Sequence, residues 1–325
     1  MVATSTTTTE GWSSRSAFVL AAIGAAVGLG NLWRFPTLAG ESGGGAFVIF
    51  YIGCVFLLGL PLLLAEIFIG RAGQTDAIGS IRRVAEQSKA SRGWVSFGAI
   101  GALAAFLIVS FYSVVAGWVL YYAGVFAGDF ASAVAAGDPF RGALEGQSQD
   151  EIANRLTNLF ANPGLLIAMH FAFMGATLFI VARGVSGGIE KAATWLMPAF
   201  FVLLIGITIY GAIVGDVSEA AAFLFTPDWS RLTPDVMNSA LGQALFSLSL
   251  GVAGIITYGS YIREGTPLGS TAVTIAVADT AVALIAGLMI FPIVFHVGLD
   301  PAAGPTLVFQ TLPFAFEAMP AGSLI

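Results

Sequence analysis

Seven stretches of the chain are long and apolar enough to cross a bilayer as helices. They lie near residues 17–39, 45–70, 95–127, 163–182, 190–214, 236–261 and 270–297, and a crossing needs about 20 mainly apolar residues. No other feature restricts the fold as strongly. In hydrocarbon every backbone N–H and C=O must find a partner within the protein, so a chain built of such runs is a bundle of helices. The composition agrees: 57% of the 325 residues are hydrophobic and 10% charged, against about 25% charged in ordinary soluble domains. The expected fold class is an all-α polytopic membrane protein.

Charge sets its sidedness. Lys and Arg concentrate in the loops that stay in the cytoplasm. Loop 71–94 holds Arg71, Arg82, Arg83, Lys89 and Arg92; Arg183 and Lys191 separate the fourth and fifth runs, and Arg263 the sixth and seventh. The alternate loops hold Arg141, Arg155 and Arg231 and most of the acids, including Asp129, Asp138, Glu145, Asp150, Glu151, Asp216, Glu219, Asp228 and Asp235. This alternation predicts a cytoplasmic N-terminus, with residues 1–16 as a tail and 17–325 as one transmembrane domain in the plasma membrane. The net charge of −6 argues against nucleic acid as a partner. Cys54 is the single cysteine, so no intrachain disulfide and no Cys-based metal site are expected. His170 and His296 stand alone near helix ends, and no nucleophile–His–acid arrangement is visible. An enzyme is not predicted. After Asp300, Pro301, Pro305, Pro313 and Pro320 with apolar residues between them predict a pair of short re-entrant or surface-lying helices.

Two of the seven runs carry the wrong residues for an unbroken helix. The first contains Gly24, Gly28, Gly30, Asn31, Arg34 and Pro36. Glycine costs about 1 kcal/mol against alanine in a helix interior and lets the backbone leave helical geometry. Unwound backbone is tolerated in a membrane only where it is buried in protein or lines a cavity. A close glycine-rich helix contact is the competing explanation. The sixth run has the same character, with Gly242, Ser247, Ser249, Gly251 and Gly254 at mid-depth. Interrupted helices at matching positions of two repeats point to a transporter's binding site. Runs one and six open successive five-helix repeats if the first repeat is 17–214 and the second begins at 236–325.

The stretches that carry this pattern also carry a resemblance. Ala26 to Pro36, Glu41 to Phe47, Pro61 through Glu66 to Arg71, Arg183 to Lys191, Phe225 to Trp229 and Gln243 to Tyr261 resemble the neurotransmitter:sodium symporter family, in its prokaryotic amino-acid-transporter branch. The resemblance covers nearly the whole chain. It implies a LeuT-like inverted-repeat bundle with broken helices one and six, C-terminally incomplete at about seven spans where the family has eleven or twelve.

It further implies a substrate held between the two breaks by Ala26, Gly28, Leu29, Gly30, Ile108, Tyr112, Phe246, Ser247, Ser249 and Val252. Half-helix N-termini near Leu29 and Gly30 suit a carboxylate. The carbonyls of Ala26, Phe246 and Ser247 suit an ammonium or Na⁺. Tyr112 matches a family tyrosine that donates to the carboxylate; by itself it reads as an ordinary membrane tyrosine. Monoamine-transporting members resemble this motif but carry Asp where this chain has Gly28, so the resemblance implies a neutral amino acid that brings its own carboxylate. Val252 falls where some relatives have Phe, which would enlarge the pocket.

Sodium is the implied coupled ion, with no organic cofactor. Hard cations take oxygen ligands, and the resemblance assigns a first sodium to Ala26, Asn31, Ser247 and Asp279, and a second to Gly24 and Val27 with further ligands beyond this chain. Asp279 is the sole acid in run seven and falls where many relatives have Asn; its fixed charge would replace the chloride that other members need. A protonated, hydrogen-bonded Asp279 is the alternative. Arg34 and Gln243 belong to an outer gate, Trp12 to an inner one, and Glu66 braces the unwound part of span six, or else snorkels beside Arg71. The function implied is a sodium-coupled symporter importing a neutral amino acid by alternating access. The alternatives are a truncated, transport-inactive fragment and a membrane regulatory or receptor subunit that kept the fold.

Overall fold

A computed structural model describes residues 11–144, 147, 151–152, 154–262, 265–302, 309 and 313. Glu145, Asp150 and Arg263 of the loops, most of the N-terminal tail, and the segment around Pro305 and Pro320 lie outside the described residues. Among the described residues the regular structure is helical throughout.

Five helices are continuous and apolar enough to span a membrane: Gly45–Gly73, Arg92–Ala135, Pro163–Val181, Val185–Val214 and Leu268–His296. A sixth is a bent pair, Arg15–Ala26 and Gly30–Glu41, whose halves meet at 47°. The run expected over 236–261 is two pieces, Pro234–Ser247 and Gly254–Ser260, each too short to cross alone. The seven expected runs are thus five continuous helices and two broken ones.

In chain order the helices are α1 (Arg15–Ala26), α2 (Phe35–Glu41), α3 (Gly45–Cys54), α4 (Leu60–Gly73), α5 (Ala77–Gln87), α6 (Val95–Ala135), α7 (Arg155–Phe160), α8 (Pro163–Val181), α9 (Glu190–Val214), α10 (Val217–Phe225), α11 (Pro234–Ser247), α12 (Gly254–Ser260) and α13 (Leu268–His296). Wide five-residue turns join α3 to α4 at Val55–Gly59 and lead into α9 at Val185–Ile189. Local chemistry fixes the starts. Ser14 Oγ accepts from the Ala17 N–H, Asn162 Oδ1 from Leu165 N–H ahead of Pro163, and Thr233 Oγ1 from Val236 N–H ahead of Pro234; each side chain satisfies a donor the helix leaves unpaired.

Helix α6 runs eight residues past the expected end at residue 127. Asp129 reads as a loop acid, but the following segment folds back on it: Arg141 Nη2 donates to Asp129 Oδ1 at 2.8 Å and Leu144 N–H to Oδ2 at 3.0 Å. The charge is satisfied without leaving the helix.

The bundle is organised about α13, whose face from Leu268 to Val294 is buried, whereas α8 buries no residue. Phe47 and Tyr51 stack, and Phe35 packs tilted against both, its ring centroid 5.2 Å from that of Tyr51. Helices α4 and α12 approach most closely at two glycines. A Cβ on Gly70 would lie 2.0 Å from the Ile256 carbonyl oxygen, and one on Gly259 2.8 Å from that of Ile67. This contact holds the second half of the broken sixth span against the continuous second span.

Candidate binding site between two broken helices

The first break begins at Val27, which is extended (φ −77°, ψ 115°) after α1, and helical winding resumes at Gly30 as a wide turn. The second break, Leu248–Ala253, contains three left-handed residues: Ser249 (φ 54°), Gly251 (φ 77°) and Ala253 (φ 61°). Left-handed backbone at a serine and an alanine is costly and persists only when its surroundings enforce it.

Side-chain hydrogen bonds brace this break and the first one. Ser249 Oγ donates to the Ala25 carbonyl at 2.8 Å, tying one break to the other. Glu66 of α4 accepts the Gly251 N–H at 2.7 Å. Gln243 Nε2 donates to the Gly30 carbonyl at 2.8 Å. Asn31 Oδ1 accepts the Gly28 N–H at 3.2 Å. The freed backbone groups in this list have partners within the protein, as membrane burial demands.

Between the breaks is a cavity of 220 Å³. Eight of the ten residues expected to bind substrate line it: Ala26, Gly28, Gly30, Ile108, Tyr112, Phe246, Ser249 and Val252. Ala25 and Leu250 line it as well; neither was expected, because they contribute through position in the unwound segments rather than through side-chain chemistry. Leu29 and Ser247 are not among the lining residues. Leu29 packs instead against the buried cluster of Val115, Tyr122, Leu156, Leu159 and Phe309, just ahead of the wide turn that starts at Gly30, and Ser247 points to the opposite side, toward α13. A larger cavity of 520 Å³ shares Ile108, Tyr112 and Phe246 with the first and includes Trp33, Arg34 and Phe111. Arg34 donates to Gln243 Oε1 at 2.6 Å and lies 4.9 Å from the Phe246 ring centroid. Ile108, Tyr112 and Phe246, which line both cavities, therefore stand between them, and Arg34 lies on the side of the larger one.

A polar cluster is buried behind the breaks. Asn31 and Asp279 are 0% exposed and Ser247 is 1% exposed. Asn31 Nδ2 donates to Asp279 Oδ1 at 2.8 Å, to the Asp279 carbonyl at 3.1 Å and to Ser247 Oγ at 3.1 Å. Ser247 Oγ lies 2.8 and 2.7 Å from the two Asp279 carboxylate oxygens. Tyr51, from the second span, directs its hydroxyl toward Ser247, Thr280 and Asp279 without completing a hydrogen bond. In sequence it is one more aromatic on an apolar helix. Gly24 and Val27 sit at the end of α1, with Gly24 against Met197 of α9. No three His, Cys, Asp or Glu side chains come together among the described residues. The Ser247 hydroxyl, the Asp279 carboxylate and the Asp279 carbonyl are the oxygens of this cluster, the donor type that hard cations take.

On the side of α1 away from the break, Trp12 is 2% exposed and its Nε1 donates to the Tyr258 carbonyl at 3.1 Å. Arg15 donates to Ser270 Oγ at 2.9 Å.

A profile of the Sodium:neurotransmitter symporter family matches residues 9–131 and 151–325, and so spans both breaks and α13. The chain belongs to this family. It is 40% identical over 313 residues to YhdH, an uncharacterized sodium-dependent transporter of Bacillus subtilis, covering 96% of this chain and 66% of that protein. An uncharacterized sodium-dependent transporter of Haemophilus influenzae is 37% identical over 320 residues, covering 96% and 66%. Among solved structures, that of MhsT in complex with L-phenylalanine superposes with a TM-score of 0.83 at 44% identity, covering 97% of this chain and 68% of that one. The chain spans about two thirds of the length of the curated relatives it matches. The symporter family is one of sodium-coupled membrane transporters, not of enzymes, and its coupled ion is sodium. The LeuT-like bundle with two broken helices expected from the sequence is the fold observed.

Proposed function

We propose that the protein is a sodium-coupled symporter that imports a neutral amino acid across the plasma membrane, with its N-terminus in the cytoplasm. The observation that carries this reading is the cavity between two mutually braced breaks, open at Gly28. A Cβ built on Gly28 meets nothing within 4 Å, so the space beside the first break is free for a carboxylate supplied by the substrate. The likeness to MhsT, whose structure holds L-phenylalanine, supports an apolar or aromatic side chain.

In this reading the substrate carboxylate meets the N–H groups at the restart of helical winding near Gly30 and the hydroxyl of Tyr112. Its ammonium meets carbonyls of Ala26, Phe246 and Ser247. Its side chain lies against Ile108, Ser249 and Val252. A first Na⁺ takes the Ala26 carbonyl, Asn31, Ser247 and Asp279. The Asp279 carboxylate balances the ion's charge in a low-dielectric site, so transport needs no chloride. A second Na⁺ begins at the Gly24 and Val27 carbonyls. The site between the breaks opens alternately to the two sides of the membrane. Na⁺ binding favours the substrate-ready arrangement and the gradient sets direction. Arg34 with Gln243 closes the outer side and Trp12 the inner side, while Glu66 holds the span-six break open.

The test is uptake of radiolabelled neutral amino acids into vesicles carrying the purified protein, with external Na⁺ or choline. Uptake dependent on Na⁺ and unchanged when gluconate replaces chloride is expected. Uptake indifferent to Na⁺ excludes the mechanism.

A further inference from the structure

Residues 12–15 are fastened at three places, Trp12, Ser13 and Arg15, and of these only Trp12 belongs to the inner gate as described so far. Trp12 is buried with its Nε1 on the Tyr258 carbonyl, and Arg15 is bonded to Ser270. Between them, the Ser13 N–H donates to Glu190 Oε2 at 3.0 Å, and the Ser13 hydroxyl donates to Glu190 Oε1. Glu190 is the first residue of α9 and follows directly on the wide turn Val185–Ile189. One carboxylate thus receives two donors from a residue 177 positions away in sequence.

The geometry points to Glu190 as a positioning residue for the inner gate: its carboxylate holds Ser13, and through it the Trp12 plug, closed over the cytoplasmic end of the bundle. This rests on the symporter reading only in that the plug must leave for release. Ser13 is adjacent to Trp12, so a fixed Ser13 backbone limits how far the indole can withdraw. Among the described residues, this is the hydrogen bond from residues 12–15 that reaches the fifth span; their other long-range hydrogen bonds go to α12, the stretch after it, and α13. Glu190 has another possible use, since a carboxylate in the first turn of a helix is favoured by the helix dipole. That role needs a negative charge but no particular reach, and the latch needs both.

Ile262 provides the readout. It is 4% exposed and lines a small cavity with Trp12, Ser14, Arg15 and Phe18, so it becomes reachable when the plug leaves. In a Cys54→Ala background, Ile262→Cys is labelled with N-ethylmaleimide in the purified, reconstituted protein. Glu190→Ala is expected to raise the labelling rate about tenfold, the factor set by the loss of charge-assisted hydrogen bonds at a water boundary. Glu190→Asp keeps the charge but is one methylene shorter, and is expected to label like Glu190→Ala. Ser13→Ala removes one donor without touching α9 and is expected to give about a threefold rise. The inference is overturned if all three label within twofold of the parent, or if Glu190→Asp restores the parental rate while Glu190→Ala does not. Should Glu190→Ala fail to fold, Ser13→Ala decides alone: an unchanged rate overturns the latch. A parent whose labelling ignores Na⁺ and amino acid counts against the symporter reading and leaves these ratios as the test of the latch.

Discussion

Single positions decide which ligand this fold takes. Gly28 has open space where a side chain would start, so Gly28→Asp is expected to leave the fold intact. It also sets a carboxylate in the place proposed for the substrate's own. Equilibrium binding of neutral amino acids should weaken more than about tenfold, through repulsion between like charges in a low-dielectric cavity. Unaltered affinity would remove the carboxylate from that place. Asp279 is wholly buried and bonded to Asn31 and Ser247. Asp279→Asn removes the fixed charge while keeping the shape, so the Na⁺ concentration for half-maximal binding should rise about tenfold or more. Chloride should then partly restore it. A variant as tight as the parent in gluconate would show that Asp279 does not balance the ion. The residue types Asn31, Ser247 and Asp279 announced themselves, because polar groups at mid-membrane depth demand a reason. Tyr51 and Leu29 did not. An aromatic in an apolar run looks like core whichever way its hydroxyl points, and Leu29, just ahead of the wide turn, packs outside the cavity.

Elements show how a break is kept from collapsing into a helix or a disordered loop. Glu66 accepts the Gly251 N–H, and Ser249 ties the second break to Ala25. Glu66→Ala strands a backbone donor, which costs about 1–3 kcal/mol. A lower melting temperature in detergent is expected, with Glu66→Gln, which keeps an acceptor, falling in between. Equal melting temperatures for the two variants would argue that Glu66 braces nothing. Gly70→Ala tests the neighbouring contact, since its Cβ would overlap the Ile256 carbonyl oxygen at 2.0 Å. It should separate α12 from α4 and destabilise the protein by about 1–3 kcal/mol, the usual cost of overpacking. The existence of both breaks was legible in sequence, because glycine and serine clusters inside a hydrophobic run conflict with unbroken winding. Of their bracing, the part of Glu66 was implied by the resemblance; the Gln243–Gly30 and Ser249–Ala25 bonds were not, because they join residues more than 200 positions apart, and periodicity carries no such information. Nor did composition show that α6 continues through Asp129, since the partner that satisfies the acid lies on the segment that folds back.

At the scale of the whole molecule, the bundle puts its polar chemistry on one axis. From Arg34 and Gln243, through the two cavities and the Asn31–Ser247–Asp279 cluster, to Trp12 and Glu190, the buried or half-buried polar groups gather around the broken helices, with Asp279 supplied by α13 and Glu190 by α9. The outer helix α8 buries nothing and presents an apolar surface suited to lipid. The central claim is that the two breaks form a site in which Na⁺ and an amino acid stabilise each other. The most direct test measures binding of L-phenylalanine and other neutral amino acids to the purified protein while Na⁺ is titrated against choline at constant ionic strength. Saturable binding that tightens with Na⁺, and is lost in Gly28→Asp, is the predicted result. Binding of equal strength in choline, or no binding of any neutral amino acid at any Na⁺ concentration, would contradict it.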